Sequence, residues 1–403
     1  MSGKDKIEWA IQWMPVLNSI KRDFAENKPF KGMKISMALH LEAKTAALVL
    51  ALKEGGANVR IAGCNPLSTD DEVAESLKND YGVEVFAKRG LNTNEYYEYL
   101  NKVLDQQPDL IIDDGGDLTT LAHNHADRSE NIIGGNEETT TGVVRLKNME
   151  RAGALKFPMF DVNDAMMKHL FDNRYGTGQS TIDGIINSTN LVLAGKKIVV
   201  AGYGWCGRGI ATRMRGMGAI VSVTEIDPIK AIEAHMDGFD VHPMRKAIKN
   251  ADLVITATGM KDVVTLDDLK NAKDGIILAN AGHFNNEIAM NQIEGISIGR
   301  EVRRNVKVHE LFGKKVYVLA DGRLVNLAAG QGHPVEIMDL SFAIQALTAE
   351  YIVKMRPKER RVFPVPSEID KKVAEIYLKS YDINIDHLTE EQIRYLNSWD
   401  EGT

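Results

Sequence analysis

Residues 197–225, KIVVAGYGWCGRGIATRMRGMGAIVSVTE, constrain the fold of this 403-residue chain more than any other stretch. An apolar run, a Gly-x-Gly-x-x-Gly turn, a helical segment, a second apolar run and an acid follow one another as a strand–turn–helix–strand unit requires. Gly202 permits the tight bend, Gly204 lets backbone N–H groups approach a pyrophosphate, and Gly207 lets the helix press against the sheet. Tyr203, Trp205 and Cys206 fill the turn between them and belong to the same contact surface. Glu225 closes the second run, where a carboxylate accepts both hydrogen bonds of an adenosine ribose and repels a 2′-phosphate. The expected cofactor is therefore NAD rather than NADP.

Composition limits what surrounds this unit. A 44% hydrophobic chain of this length suits a folded protein with two or more cores. Its 49 Lys and Arg against 56 Asp and Glu leave a net charge of −7 and no long basic stripe, so nucleic acid is not an expected partner. Cys64 and Cys206 are its two cysteines, which supports neither a disulfide framework nor a thiolate zinc site and fits a reducing cytoplasm. The N-terminal stretch lacks a signal-peptide core and no window reaches spanning length without charges, so no membrane association is expected.

The first 160 residues alternate short β-rich runs, KISMAL, NVRIAG, VEVFA, DLIID and KFPMF, with helical patterns, which reads as a parallel sheet. A sixth apolar stretch, Asn131–Ile133, leads into a glycine- and threonine-rich segment. A second α/β unit begins near Ser180 and adds strands at DLVITAT, GIILAN and VYVL, with Thr256, Thr258 and Asn280 at strand ends where they face a cofactor or simply form turns. The expectation is two Rossmann-like, doubly wound α/β domains joined by a hinge, with connections near residues 175–180 and 332–336. The substrate-binding domain takes residues 1–178 and 335–370, the NAD domain 179–334, and a helical tail 371–403. EIMDLSFAIQALTAEYIVKM is too continuously apolar for a surface helix and is expected to pack back on the first domain.

Ligands gather beyond the carboxyl ends of strands in such sheets, and the unusual polar clusters fall there. Lys168 and Asp172 stand at helical i, i+4 spacing just before the cofactor unit, as either an ordinary surface pair or a lysine held ready to move a proton. Asp114 and Glu138 lie on separate strand-end loops and suit general acid–base work if the sheet brings them together. His40, His283 and His333 each sit beside a glycine or a strand end. His123-x-His125 lacks further ligand spacing, and no metal is expected.

These clusters, in this order, resemble the S-adenosylhomocysteine hydrolase family over nearly the whole chain. They are His40, Asp-Asp-Gly-Gly-Asp at 113–117, Glu-Glu-Thr-Thr-Thr-Gly at 137–142, Asn-Asp at 163–164, Lys168, Phe-Asp-Asn at 171–173, Gly-Tyr-Gly at 202–204, Gly-His-Phe at 282–284, Leu-Val-Asn-Leu at 324–327 and Gly-His-Pro at 332–334. The resemblance implies reversible hydrolysis of an S-nucleosyl-L-homocysteine to nucleoside and L-homocysteine. The ribose 3′-hydroxyl is oxidised with a tightly held NAD⁺, which acidifies the C4′ hydrogen so that homocysteine thiolate leaves by elimination, water adds and the ketone is reduced again. It further implies that Lys168 and Asp172 serve the 3′-hydroxyl proton, Glu138 binds the ribose hydroxyls, and Asp114, His40 and His283 lie around C4′ and C5′, any one of them being the base. Thr45, Asn326 and His333 border ribose and purine. Thr139, Thr140, Thr141, Asn173, Thr256, Asn280, Gly282, His283, Asn326 and Tyr395 join the glycine turn in holding NAD. A homotetramer in which the tail reaches a neighbouring subunit is also implied, although LTEEQIRYL could equally cap its own chain.

The chain departs from that family where the purine sits. His40-x-Glu42-x-Lys44-Thr45 stands in place of the family's His-x-Thr-x-Glu/Gln-Thr. Glu or Gln at the position of Lys44 accepts from the adenine N6 amino group, whereas lysine only donates. Hypoxanthine presents O6 as an acceptor and N1–H as a donor, so Lys44 and Glu42 would satisfy both, and S-inosyl-L-homocysteine becomes the expected substrate. The alternatives are that Glu42 and Lys44 pair with each other or exchange roles toward adenine. Thr177 replaces a frequent cysteine, so thiol chemistry is not expected beside the nicotinamide; Lys230 and Glu391 replace residues that contact NAD, which predicts weaker retention.

Overall fold

The computed structural model describes residues 2–124 and 126–399. The strands, in chain order, are β1 (Lys34–Leu39), β2 (Asn58–Gly63), β3 (Glu84–Phe86), β4 (Leu110–Asp113), β5 (Gly134–Glu137), β6 (Met159–Asp161), β7 (Lys197–Ala201), β8 (Ile220–Thr224), β9 (Asp240–Val241), β10 (Leu253–Thr256), β11 (Ile276–Asn280), β12 (Arg300–Arg303), β13 (Val306–Leu311), β14 (Lys314–Leu319) and β15 (Val362–Pro364). Among the described residues they form two sheets, of seven strands in the order β15-β6-β5-β4-β1-β2-β3 and of eight in the order β12-β13-β14-β11-β10-β7-β8-β9. Every pairing in the first sheet is parallel, and the second is parallel apart from the β12-β13-β14 edge. Helices cover both faces, as the expected Rossmann-like architecture requires.

The sequence pattern misplaces β5 and misses β9, β12, β13 and β15, and three of these show why. β5 is Gly-Gly-Asn-Glu, which begins after the apolar Asn131–Ile133 stretch rather than within it. A Cβ on Gly135 would lie 2.7 Å from the Ile111 carbonyl oxygen and 2.8 Å from the Met159 sulfur, so close packing against both neighbouring strands selects glycine over a β-former. β15 arrives from far along the chain to pair with β6, with Phe363 stacked on Phe160 at 5.2 Å, and its Pro364 is tolerated on an edge strand. β12 carries four exposed residues, Arg-Glu-Val-Arg, and so lacks an alternating apolar face.

The long helix Val335–Met355 packs onto the first sheet, as its unbroken hydrophobicity predicts. It also carries buried polar groups. Asp339 accepts the backbone N–H of Val16 at 2.9 Å and of Leu17 at 2.7 Å, which caps the helix Pro15–Asn27 from outside because Met14 has no capping side chain. No helix among the described residues is long and apolar enough to cross a membrane.

Candidate active site

The carboxyl ends of β1, β4, β5 and β6 of the first sheet and of β7, β8, β10 and β11 of the second open onto one cavity of about 1150 Å³. Strand ends supply most of its functional side chains, because each loop leaving a parallel strand must turn there and exposes its first residues to the crevice.

His40 follows β1, and Asp114 follows β4. The His40 Nδ1 meets Ser68 Oγ at 2.6 Å, which leaves Nε2 3.5 Å from Asp114 Oδ2. From the other sheet, His283 brings Nδ1 to 3.6 Å from Asp114 Oδ1, so one carboxylate bridges two imidazoles. Cys64 Sγ lies 3.7 Å from Asp114 Oδ2 and completes the setting of that carboxylate. Burial lowers the proton affinity of His40 despite the pull of Asp114, so the ring favours its neutral form and can accept a proton. The donor atoms of His40, Asp114 and His283 lie within 4.8 Å of one another, a grouping that could also hold a small cation. The resemblance gathers these same three residues around C4′ and C5′, although no metal is expected of them. His123 is instead committed to Thr119 O and Lys156 N, and His125 lies outside the described residues.

Lys168, Asp172 and Glu138 form the second cluster. The Lys168 Nζ lies 3.4 Å from both Glu138 Oε1 and Asp172 Oδ1 and donates to Asn173 Oδ1 at 2.8 Å. All four are buried. The segment His169–Gly176 is a π-helix, whose wider turn brings both i+4 and i+5 side chains to the lysine, so Asp172 and Asn173 reach it together. Burial by itself would lower the lysine, but the Asp172 and Glu138 carboxylates outweigh it and raise its proton affinity. Lys168 is therefore held as an ammonium rather than tuned downward. Burial, with Asp172 and Asp114 nearby, pushes Glu138 up to about 7 against the opposing pull of Lys168. Asp172 resists burial and lies well below the ordinary range because Lys168, His333 and Ser341 stabilise its charge; His333 Nδ1 is 3.1 Å away.

Ser341 and Gln345 on the long helix are functional partners that pattern reading missed. Ser341 Oγ donates to Asp172 Oδ2 at 2.7 Å and Gln345 Nε2 donates to Glu138 Oε2. Both look like ordinary small or neutral residues in a core helix, and only the tertiary crossing reveals them.

Toward the purine end, Lys44 Nζ is 2.6 Å from Glu42 Oε2 and donates to the carbonyls of Gln331 at 2.7 Å and His333 at 3.0 Å. Thr45 Oγ1 donates to the His40 carbonyl. Glu42 and Lys44 thus pair with each other, and both line the cavity.

The second sheet fits a dinucleotide on its own evidence. Gly202 has φ +96°, and a Cβ on Gly207 would lie 2.0 Å from the Gly202 carbonyl oxygen, so the turn excludes side chains at both points. A Cβ on Gly204 would meet nothing within 4 Å, which leaves the backbone N–H groups at the start of the helix Trp205–Gly216 open to the cavity. Glu225 accepts from Tyr203 N at 2.7 Å, Ile226 N at 2.7 Å and Asp227 N at 3.1 Å, which fixes its charge at the rim where an adenosine ribose would lie.

Thr139, Thr140, Thr141, Asn173, Trp205, Cys206, Gly282, Asn326 and His333 also line the cavity. Tyr203 does not. Its hydroxyl donates to Asp237 at 2.6 Å and its ring packs on Phe239, within the core. Thr256 and Asn280 are tied to each other at 3.0 Å beneath the floor, and Asn280 Nδ2 gathers the carbonyls of Gly282, Phe284 and Gly322. Tyr395 is exposed on the tail helix Glu390–Asn397 and does not reach the cavity of its own chain. Thr177, in the place of a frequent cysteine, has its Oγ1 3.6 Å from the Sγ of Cys206, which faces Lys168.

Comparison with known proteins agrees with this geometry. Residues 1–133 match the family model described as S-adenosyl-L-homocysteine hydrolase, and residues 173–332 match that of its NAD binding domain. The chain is 66% identical over 402 residues to the adenosylhomocysteinase of Thermoplasma volcanium, covering 99% of this chain and 98% of that one. It is 57% identical over 404 residues to the S-inosyl-L-homocysteine hydrolase of Methanocaldococcus jannaschii, covering 100% and 97%. Among solved structures, a dipicolinate synthase from Bacillus halodurans shares the fold, with a TM-score of 0.50, 13% identity, and coverage of 81% of this chain and 99% of that one.

Proposed function

The chain belongs to the S-adenosyl-L-homocysteine hydrolase family and carries its NAD-binding domain, and from that premise we propose that it cleaves the thioether of S-inosyl-L-homocysteine, releasing inosine and L-homocysteine. The observation that carries the reaction is one cavity holding two clusters, Lys168–Asp172–Glu138 and His40–Asp114–His283, next to an open dinucleotide turn. Bound NAD supplies a reversible hydride acceptor for C3′ of the sugar.

The chain's own residues do the rest. Glu138, as a carboxylate, accepts from ribose hydroxyls and orients the ring. Lys168, held as an ammonium between two carboxylates, gives a proton to the 3′-oxygen in the closing step; in the opening step it first passes a proton to the neighbouring Glu138 carboxylate, and the amine so freed takes the hydroxyl proton. The neutral His40, with Asp114 and His283 around it, takes the C4′ hydrogen as a proton, and the bond from C5′ to sulfur breaks as the electron pair moves in. The same cluster directs water to C5′. Closure of two sheets over one cavity keeps bulk water from the ketone.

Base preference rests on Glu42 and Lys44. With the lysine at the 6-position of the purine it meets O6 of hypoxanthine, and the free Glu42 oxygen meets N1–H. The adenosine thioether is the alternative, favoured by the three acceptors that already engage Lys44, which leave Glu42 to accept from an N6 amino group. Purified holoenzyme should release thiol from S-inosyl-L-homocysteine with kcat/KM about tenfold or more above the adenosine analogue, without net NADH absorbance. A clear adenosine preference sinks the base assignment, and stoichiometric NADH would point to a net dehydrogenase instead.

A further inference from the structure

Two polar side chains of the long helix Val335–Met355 have no role in the reaction derived above, yet they touch its carboxylates. Ser341 and Gln345 are four residues apart, share one face of the helix and are fully buried. Ser341 donates to Asp172 and Gln345 to Glu138, the two acids that flank the Lys168 ammonium. The Gln345 backbone carbonyl accepts Asn136 Nδ2 at 2.9 Å, which ties the helix to the strand that delivers Glu138. Asp339, two residues before Ser341, caps the helix Pro15–Asn27, so this platform is anchored to its own domain. It starts directly after His333 and Pro334, where the chain returns from the second sheet, and His333 reaches Asp172 as well.

One further detail distinguishes Gln345 from a passive strut. Its Oε1 is buried and has no partner among the described residues. A glutamine amide offers two donors on one side and an acceptor on the other, so it can serve an acid in either protonation state. Toward a carboxylate it presents Nε2, and turned by half a revolution it presents Oε1 to the O–H of a carboxylic acid.

We propose that Gln345 and Ser341 are positioning residues that hold Glu138 and Asp172 on either side of Lys168, and that the Gln345 amide sets the proton affinity of Glu138 by following its protonation state. This rests on the proposed role of that cluster in moving the sugar-hydroxyl proton. Glu138 is faced by Lys168, Asp172 and Asp114; Asp172 is faced in addition by His333, and Lys168 by Cys206. Removing the amide withdraws a charge-assisted hydrogen bond from the carboxylate form and only a weaker, neutral one from the acid form, and must therefore raise the pH at which Glu138 gives up its proton.

The test is the kcat–pH profile of NAD-loaded Gln345→Met, which keeps length and volume. Its acid-side midpoint should move up by about one pH unit, with kcat near the wild-type midpoint falling several-fold and KM little changed, since a unit of pKa is a tenfold shift in protonation equilibrium. Gln345→Glu is the second variant. It should also move the midpoint up, by placing another acid beside Glu138, and it answers the question if the methionine variant fails to fold. Ser341→Ala should lower kcat about tenfold without moving the midpoint, because Asp172 titrates far below the range probed. An unmoved midpoint in both Gln345 variants overturns the proposal. Failure of the underlying reading is separately visible, since Lys168→Met would then retain thiol release whatever the Gln345 variants do.

Discussion

Glu138 is the residue whose environment should set the working pH under the proposed function. It is buried, its carboxyl is pushed up to about 7, and Lys168 and Gln345 are what keep it from rising further. The carboxylate is the form that accepts from ribose hydroxyls, so kcat/KM should rise as pH increases from about 6 to about 8 and level off above it. Glu138→Gln should flatten that limb and lower kcat/KM about 100-fold, read from pH-dependent thiol release. A retained acid limb in that variant would assign the titration to another group. The spacing of Lys168 and Asp172 made their pairing legible in the sequence alone. The outcome of that pairing was not, because whether burial or two neighbouring carboxylates wins over a lysine depends on distances, and here the carboxylates win. Ser341 and Gln345 were illegible for a different reason. Isolated polar residues in an apolar helix carry no periodic signal, and their meaning comes from the element they cross.

At the scale of elements, polarity at strand ends was readable and strand identity was not always. His40, Asp114, Glu138 and His283 fall where parallel strands stop, and the Gly202–Glu225 unit forms the strand–turn–helix–strand its pattern announces. β5 was hidden because interstrand crowding, not β-propensity, chose its glycines. The long helix shows how one element can combine anchoring and function. Asp339 gives the helix Pro15–Asn27 two hydrogen bonds that no nearby residue supplies, and both N–H groups would be left buried without it. Asp339→Ala should therefore cost about 2 kcal/mol or more in urea unfolding of the holoenzyme. Because Ser341 and Gln345 ride the same helix, the variant should also reduce kcat more than KM. A loss of stability with unchanged kcat would separate the anchor from the site.

At the scale of the whole molecule, no residue of the described tail lines the cavity of its own chain, and the tail is amphipathic without being covered. Ile383, Ile385, Leu388, Ile393, Tyr395 and Leu396 are exposed along it. Beside the rim residue Glu225 the second domain exposes Ile226, Ile229, Ile232 and Met236, an apolar strip on a helix that borders the proposed adenosine end of the cofactor site. Two such surfaces on one chain are complementary in kind, and each would be relieved of water if tails were exchanged between copies. A tail laid over that strip would also close the end of the cavity from which NAD must leave, so assembly and cofactor retention should be linked. Glu391 stands on the tail where the resemblance leads one to expect a lysine, which removes a charge able to meet a pyrophosphate. Truncation after Ser380 should thus lower the oligomeric state seen by sedimentation and speed NAD loss on dialysis about tenfold or more, with folding of the two sheets unchanged by circular dichroism. Glu391→Lys should slow NAD loss in the intact chain. If truncation changes neither mass nor retention, the tail caps its own chain, and the strip beside Glu225 is covered by something else.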